Sequence, residues 1–260
     1  MREAPAEQIH EIVTTPAART AGGQTRHCGM AKHYIFCLMG KSATGKDTVC
    51  RKLRGLLEES GAPELLPVVP YTTRPIRTGE VNGTSYWFES PEEFEAAREA
   101  GKIIESRDYE TMLGTWHYYT KDDGQIDLSQ HSYLIIGTLE SYLSFQHYYG
   151  ADRVIPLYIE VDDGERLRRA LHRELGEENP RFSELCRRFL ADEEDFSEEK
   201  LRKAGIARRY ENSDSGKTAA RMRDEIIAAL SEEKPAGGSG EKMDADEQDP
   251  AMPCSFGMDS

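Results

Sequence analysis

One stretch constrains this chain more than any other: Gly40-Lys41-Ser42-Ala43-Thr44-Gly45-Lys46-Asp47-Thr48, directly after the apolar run Ile-Phe-Cys-Leu-Met and opening a helical period. Glycines let the backbone curl so that successive N–H groups point at one spot. The helix N-terminus adds its dipole there, and Lys46 adds a positive charge. Strand, loop and helix in this order predict a phosphate-binding loop, with Lys46 on the β- and γ-phosphates of a bound nucleotide. The bland alternative is a glycine-rich turn with an incidental lysine. The pattern usually has Ser or Thr after the lysine, as a magnesium ligand, and this chain has Asp47. Thr48 lies about 100° further round the helix and is no automatic substitute. Asp47 is expected to cap the helix or to hold magnesium through water, so neither Asp47 nor Thr48 is assigned as a direct metal ligand.

The rest of the middle alternates strand and helix signals. Apolar runs at His33–Met39, Leu65–Pro70, Tyr133–Gly137, Val154–Glu160 and Ile206–Glu211 are separated by helical periods at Lys46–Glu59, Leu139–Tyr149, Glu165–Leu175, Ser183–Phe196 and Lys217–Leu230. This predicts an α/β fold, a parallel sheet of about five strands flanked by helices. Residues 71–128 break the rhythm with turn signals, aromatics and a short helix carrying its own capping box (Ser90, Pro91, Glu93). They are expected to form an inserted mixed α+β subdomain.

Both ends, residues 1–30 and 231–260, are poor in large apolar side chains and are expected to be disordered, the second as an acidic tail. Met30, just before the first strand signal, is a candidate translation start. A formal charge of −14, from 33 Lys and Arg against 47 Asp and Glu, argues against a nucleic-acid partner. The five scattered cysteines contain no CxxC pair, so no zinc site or disulfide framework is suggested. Neither a membrane span nor a signal peptide is visible, which makes the cytoplasm the expected location.

A second motif follows the loop: Tyr71-Thr-Thr-Arg74-Pro-Ile-Arg77-Thr-Gly79-Glu80-Val-Asn-Gly83-Thr-Ser-Tyr86-Trp-Phe88. Two arginines three apart can present fork-shaped donors to one phosphate dianion, and Tyr86 adds a hydroxyl. A solvated basic turn is the alternative. With the phosphate loop, this segment resembles the guanylate kinase family, whose signature reads TTRxPRxGExxGxxYxF. The chain would be a divergent member, covered over roughly residues 33–230. The resemblance implies a P-loop kinase with a core at 31–230, an acceptor-binding insertion at about 71–128 and a helical lid at about 162–195. It further implies ATP with Mg2+ as donor and a phosphorylated small molecule, GMP first, as acceptor.

Carried over by position, Arg74, Arg77, Tyr86 and Tyr118 would grip the acceptor phosphate, while Glu105 would read the guanine edge with Thr120 beside it. A carboxylate can accept from a ring N–H and an exocyclic amine, which adenine does not pair in that way. Glu105 could equally be a surface charge, and Tyr118 and Thr120 packing residues. The family's serine before the first arginine is Pro70 here. Its base-facing aspartate is Thr138, and its small glycine is Tyr119, which is expected to narrow the pocket. In the lid, Arg169, Arg173 and Arg188 are the candidates for neutralising transition-state charge, with Arg166 on the same helix face; exposed ion pairs are the alternative. Asn212 is expected near the adenine, or else as a turn cap. The rival readings are a kinase of another phosphorylated acceptor, such as ribose 1,5-bisphosphate, and a non-catalytic protein-binding module.

Overall fold

In the computed structural model, the described residues are 32–231, apart from Thr78, Met112 and Leu113. The expected disordered ends and the candidate start at Met30 lie outside the described residues, except that Ser231 closes the last helix. Strand β1 (Ile35–Met39) is wholly buried, because it runs through the middle of a sheet with helices on both faces. It pairs in parallel with β7 (Ser132–Ile136) on one side and β8 (Val154–Glu160) on the other. The short strands β2 (Leu65–Leu66) and β9 (Arg209–Glu211) complete the parallel order β2-β7-β1-β8-β9.

Alternation along β1 decides the packing. Phe36 and Leu38 point to the face covered by α1 (Lys46–Glu59) and α7 (Ser215–Ser231), meeting Leu53 and Met222. Ile35, Cys37 and Met39 point to the other face and meet Tyr142 and Phe145 of α3 (Leu139–Tyr149). Leu201 of the short helix α6 (Glu198–Lys203) packs there too. The expected strand at Leu65–Pro70 stops at Leu66, since Pro67 has no N–H for the ladder. The last strand begins at Arg209 rather than Ile206, because Gly205 closes α6 and the Ile206 N–H bonds back to the Leu201 carbonyl.

The second sheet has the order β4-β3-β6-β5 and is built on a long antiparallel hairpin of β5 (Ile103–Thr111) and β6 (Gly114–Lys121). Two short strands, β3 (Tyr71–Thr72) and β4 (Trp87–Phe88), extend it. Helix α2 (Pro91–Glu99) starts with the expected capping box: Ser90 Oγ accepts from the Glu93 N–H at 3.2 Å, and Glu93 Oε2 accepts from the Ser90 N–H at 2.7 Å. Its Phe94 packs on Tyr71 and Tyr119 to form a small separate core. Two further helices, α4 (Asp163–Leu175) and α5 (Phe182–Asp195), occupy the expected lid region. No helix among the described residues is long and apolar enough to cross a membrane.

At the end of β1 the backbone turns at Gly40, φ +153°, so tightly that a Cβ there would stand 2.5 Å from the Ile159 carbonyl oxygen of β8. Gly40→Ala is expected to lower stability by roughly 1–3 kcal/mol in urea denaturation. An alanine variant as stable as its parent would show that the loop can relax away from β8.

Candidate functional site

The loop from Gly40 to Gly45 leaves the carboxyl end of the central strand, where ligands of parallel sheets bind. Gly45, φ +88°, is the N-cap of α1 and is followed by Lys46. The Lys46 ammonium folds back across the loop and donates to the carbonyls of Gly40 (2.5 Å) and Lys41 (3.0 Å). Burial lowers its pKa, and the nearby Asp192 and Asp47 carboxylates oppose that shift. Thr44 is buried and its hydroxyl donates to the Lys41 carbonyl at 2.8 Å, which ties the loop to itself.

One expectation about this loop needs correcting. Asp47 does not cap the helix: the cap position is Gly45, which has no side chain, and Asp47 stands exposed in the first turn. There it favours the helix through the dipole alone. Thr48, next to it, is only half-buried. Asn212 is buried and its amide Nδ2 donates to the Thr44 carbonyl at 2.7 Å. The structure thus places Asn212 as a buttress of the phosphate loop, with that donor already engaged.

Helices α4 and α5 meet the loop through charged groups. Arg166 of α4 is 1% exposed, its Nε donating to the Ser42 carbonyl at 3.1 Å. Its Nη1 pairs with Asp163 and with Glu193 (2.7 Å), its Nη2 reaches Asp192 at 3.3 Å, and its guanidinium lies over the Phe189 ring. Lys41 is bound at 2.6 Å by Glu193, and the Ser42 N–H donates to Asp192 at 2.7 Å. Arg166, Asp192 and Glu193 were not singled out as site residues. The only sequence signal was the shared helix face of Arg166, Arg169 and Arg173; nothing marked the two acids.

Of the expected lid arginines, Arg169 is held by Glu165 (2.7 Å) and by the Asn212 carbonyl (3.2 Å). Arg173 and Arg188 line one small cavity with Ser42, Arg166 and Phe189. Arg188 has only a loose pair with Glu184 at 3.7 Å, and the Arg173 side chain makes no hydrogen bond or ion pair among the described residues. Two cations are therefore brought beside the loop with their charge uncommitted.

On the insertion, Arg74 is buried and clasped at both ends by Glu80, at 2.7 and 2.6 Å, with the Tyr86 and Phe88 rings each 5.1 Å away. Glu80 also accepts from the Arg77 N–H at 2.8 Å, which fixes the turn and leaves the Arg77 side chain exposed. Tyr118 meets Tyr86 edge-on at 5.5 Å. Glu105 is buried in β5, where Oε1 accepts from the Thr120 hydroxyl and Oε2 from the Ser141 hydroxyl, both at 3.0 Å. It is no surface charge. The structure thus gathers Arg74, Tyr86, Tyr118, Glu105 and Thr120 on the insertion. Glu80 and Ser141 were missed; Glu80 stands inside the quoted motif, whereas Ser141 is 36 residues from its partner.

Tyr119 does not narrow the pocket. Strand alternation turns it to the opposite face from Tyr118 and Thr120, where it is fully buried against Tyr71 and Phe94 and its hydroxyl reaches Glu89 at 2.5 Å. Thr138 serves as the N-cap of α3, its hydroxyl accepting from the Ser141 N–H at 3.2 Å. It therefore acts by starting the helix that carries Ser141. The Gly137 N–H bonds to the Leu38 carbonyl at 3.1 Å, so this corner lies at the same sheet edge as the phosphate loop.

Residues 32–121 match the family model for guanylate kinase. A guanylate kinase of Symbiobacterium thermophilum is 40% identical over 92 residues, covering 35% of this chain and 41% of that one. One from Clostridioides difficile is 39% identical over 85 residues, 32% of this chain and 39% of its own length. The chain thus spans about two-fifths of the curated relatives it matches. The crystal structure of guanylate kinase from Anaplasma phagocytophilum superposes with a TM-score of 0.52 at 20% identity, covering 78% of this chain and 89% of that one. That likeness shows the shared fold.

The Arg74 clasp and the Arg77 N–H hold the Glu80 carboxyl down at about 2, from an ordinary 4.5. A depressed carboxylate contributes stability that is fully present above its unfolded pKa and lost as pH falls through the folded one. Stability is therefore expected to fall between pH 4.5 and about 2, and less steeply in Glu80→Gln. Equal acid slopes in chemical denaturation of the two proteins would show that the clasp does not contribute.

Proposed function

Starting from a chain whose residues 32–121 are similar to the guanylate kinase family, we propose that it moves the γ-phosphoryl group of ATP to a nucleoside monophosphate, with GMP as the acceptor. The observation that carries this is Glu105, a buried carboxylate held by two hydroxyls beside the Arg74–Tyr86–Tyr118 wall. Each oxygen has capacity left for a guanine N–H. A sugar phosphate offers no such donor pair. The rival with ribose 1,5-bisphosphate draws only on Asp47 and Thr138. A purely protein-binding role sits poorly with an intact Gly40, Gly45 and Lys46.

The chemistry is alignment and charge neutralisation, without a covalent enzyme intermediate. Residues 40–48 hold the ATP phosphates, with Lys46 on the β- and γ-groups. Arg74, Arg77, Tyr86 and Tyr118 orient the acceptor phosphate, and Arg173 and Arg188 offset charge that grows on the transferring oxygens. Asp47 is exposed and its side chain makes no hydrogen bond among the described residues, so its carboxylate suits Mg2+ through water. No cluster of three His, Cys, Asp or Glu side chains able to hold a metal occurs among the described residues. In this reading Mg2+ arrives on the ATP phosphates, with at most one or two protein oxygens. The ion would supply Lewis-acid polarisation of those phosphates. A cytoplasmic location, where ATP and GMP are at hand, goes with this role.

A coupled ADP-release assay over GMP, dGMP, AMP and ribose 1,5-bisphosphate tests it. GMP should give the highest kcat/KM, and Glu105→Gln should lower that value by about a hundred-fold, as expected when a charged acceptor of two hydrogen bonds is lost. Faster turnover of the bisphosphate, or none with any acceptor, would overturn the reading. Arg173→Ala should cut kcat by about 10²–10³ with little change in the KM for GMP. A change in KM alone would remove Arg173 from the phosphoryl-transfer step.

A further inference from the structure

We propose that Arg107, which the family resemblance does not single out, is a specificity-determining residue that donates to the acceptor edge of guanine while Glu105 takes its donor edge. The inference deepens the GMP reading above and rests on it.

Position comes first. In the β5–β6 hairpin, Glu105 lies opposite Thr120 and Arg107 lies opposite Tyr118. Residues two apart on a strand share a face, so all four side chains stand on the wall that faces the acceptor. Tyr109, two further on, also reaches Tyr118, with ring centroids 5.2 Å apart. Arg107 is thus set beside the Glu105 carboxylate, on the face that carries Tyr118 and Tyr109.

Its bonding is incomplete. Arg107 Nε is buried and has no hydrogen-bond partner; among the described residues only Asn212 Oδ1 is in the same condition. Glu105 Oε2 stands 3.6 Å away, near enough for charge attraction and too far for a hydrogen bond. Glu105 does not need that bond, because Thr120 and Ser141 already orient its two oxygens. The side chain remains 26% exposed, so it is not closed off from solvent. A strong donor is held in a polar corner whose own acceptors are satisfied elsewhere.

Neither Pro70 nor Thr138 supplies a donor for this task. Pro70 has none on its side chain, and the Thr138 hydroxyl is engaged at the start of α3. Guanine presents N1–H and N2–H2 donors on one edge, with the O6 and N7 acceptors continuing round the ring. A carboxylate reads the first group, and a guanidinium matches the second bidentately. Adenine would put its N6 amine against the guanidinium, donor against donor. Glu105 and Arg107 side by side therefore read complementary halves of one base and reject the other purine twice.

A role as mere counter-ion to Glu105 predicts something different, and substrate analogues separate the two. Parent, Arg107→Met and Arg107→Lys proteins would be assayed with GMP, its 7-deaza analogue (no N7 acceptor) and its 6-thio analogue (a weak acceptor in place of O6). Arg107→Met should lower kcat/KM for GMP about ten- to a hundred-fold, through KM, with kcat within about three-fold. Its preference for GMP over at least one analogue should shrink to under about two-fold. Arg107→Lys keeps the charge beside Glu105, so it should keep the thermal midpoint while losing part of the same preference. The assignment is overturned if Arg107→Met leaves GMP kinetics unchanged, or if it weakens GMP and both analogues by one factor. Absence of GMP turnover in the parent would remove the functional reading and this assignment with it. Turnover with an unaltered analogue preference would remove this assignment alone.

Discussion

Everything chemical in this fold hangs from the turn at the end of β1. Gly40 passes so close to the Ile159 carbonyl that no side chain fits, and this contact sets where the phosphate loop leaves the sheet. From there three other segments hold the loop: Lys46 across its own carbonyls, Asn212 beneath Thr44, and Arg166 against the Ser42 carbonyl. Each of these bonds is made to a loop carbonyl. Turning carbonyls towards protein donors leaves the loop N–H groups to define the anion-binding side. Two loop N–H groups are already engaged: that of Thr44 by the Lys41 carbonyl at 3.4 Å, and that of Ser42 by the Asp192 carboxylate at 2.7 Å. A phosphate reaching for the Ser42 donor has to compete with an anion already there.

The arginines divide into two sets by what neutralises them. Arg74 and Arg166 are buried, and each is surrounded by carboxylates: Glu80 for the first, and Asp163, Asp192 and Glu193 for the second. Breaking such a pair leaves an uncompensated buried charge, which costs several kcal/mol. These two are therefore poor sources of new charge stabilisation and good fixed points, one for the acceptor turn and one for the lid. Arg77, Arg173 and Arg188 are exposed or loosely paired. Their charge can go to a ligand without any buried partner being abandoned.

The sequence made the frame legible where local and tertiary demands agree. β1 and β8 are continuous apolar runs because both faces are buried, and Ser90-Pro91-Glu93 announces α2 because a capping box is a local device. The shortfalls have physical causes. In the β5–β6 hairpin, charged and aromatic residues share one face because that face lines a polar site, so the period-2 hydrophobic pattern is blurred. Tyr119 replaces a small residue yet points away from the pocket, a matter of strand register that a residue count cannot supply. Ser141 reaches Glu105 only because α3 starts where β7 ends. Asp192 and Glu193 looked like ordinary solvated acids on α5. Their role follows from how α5 crosses the loop.

The region of family similarity ends at Lys121, before both lid helices. The elements within it, the loop and the acceptor hairpin, carry the residues whose spacing could be read directly. The lid lies beyond it, and there Arg166, Asp192 and Glu193 form a bonded cluster with Lys41 and Ser42 that no motif foretold. A lid must meet different demands from a phosphate loop. The loop has one backbone solution for holding a phosphate, so its residues are narrowly specified. A lid helix needs only to deliver cations and exclude water, and many charge arrangements achieve that. This chain's own character is therefore concentrated in how α4 and α5 seat on the loop.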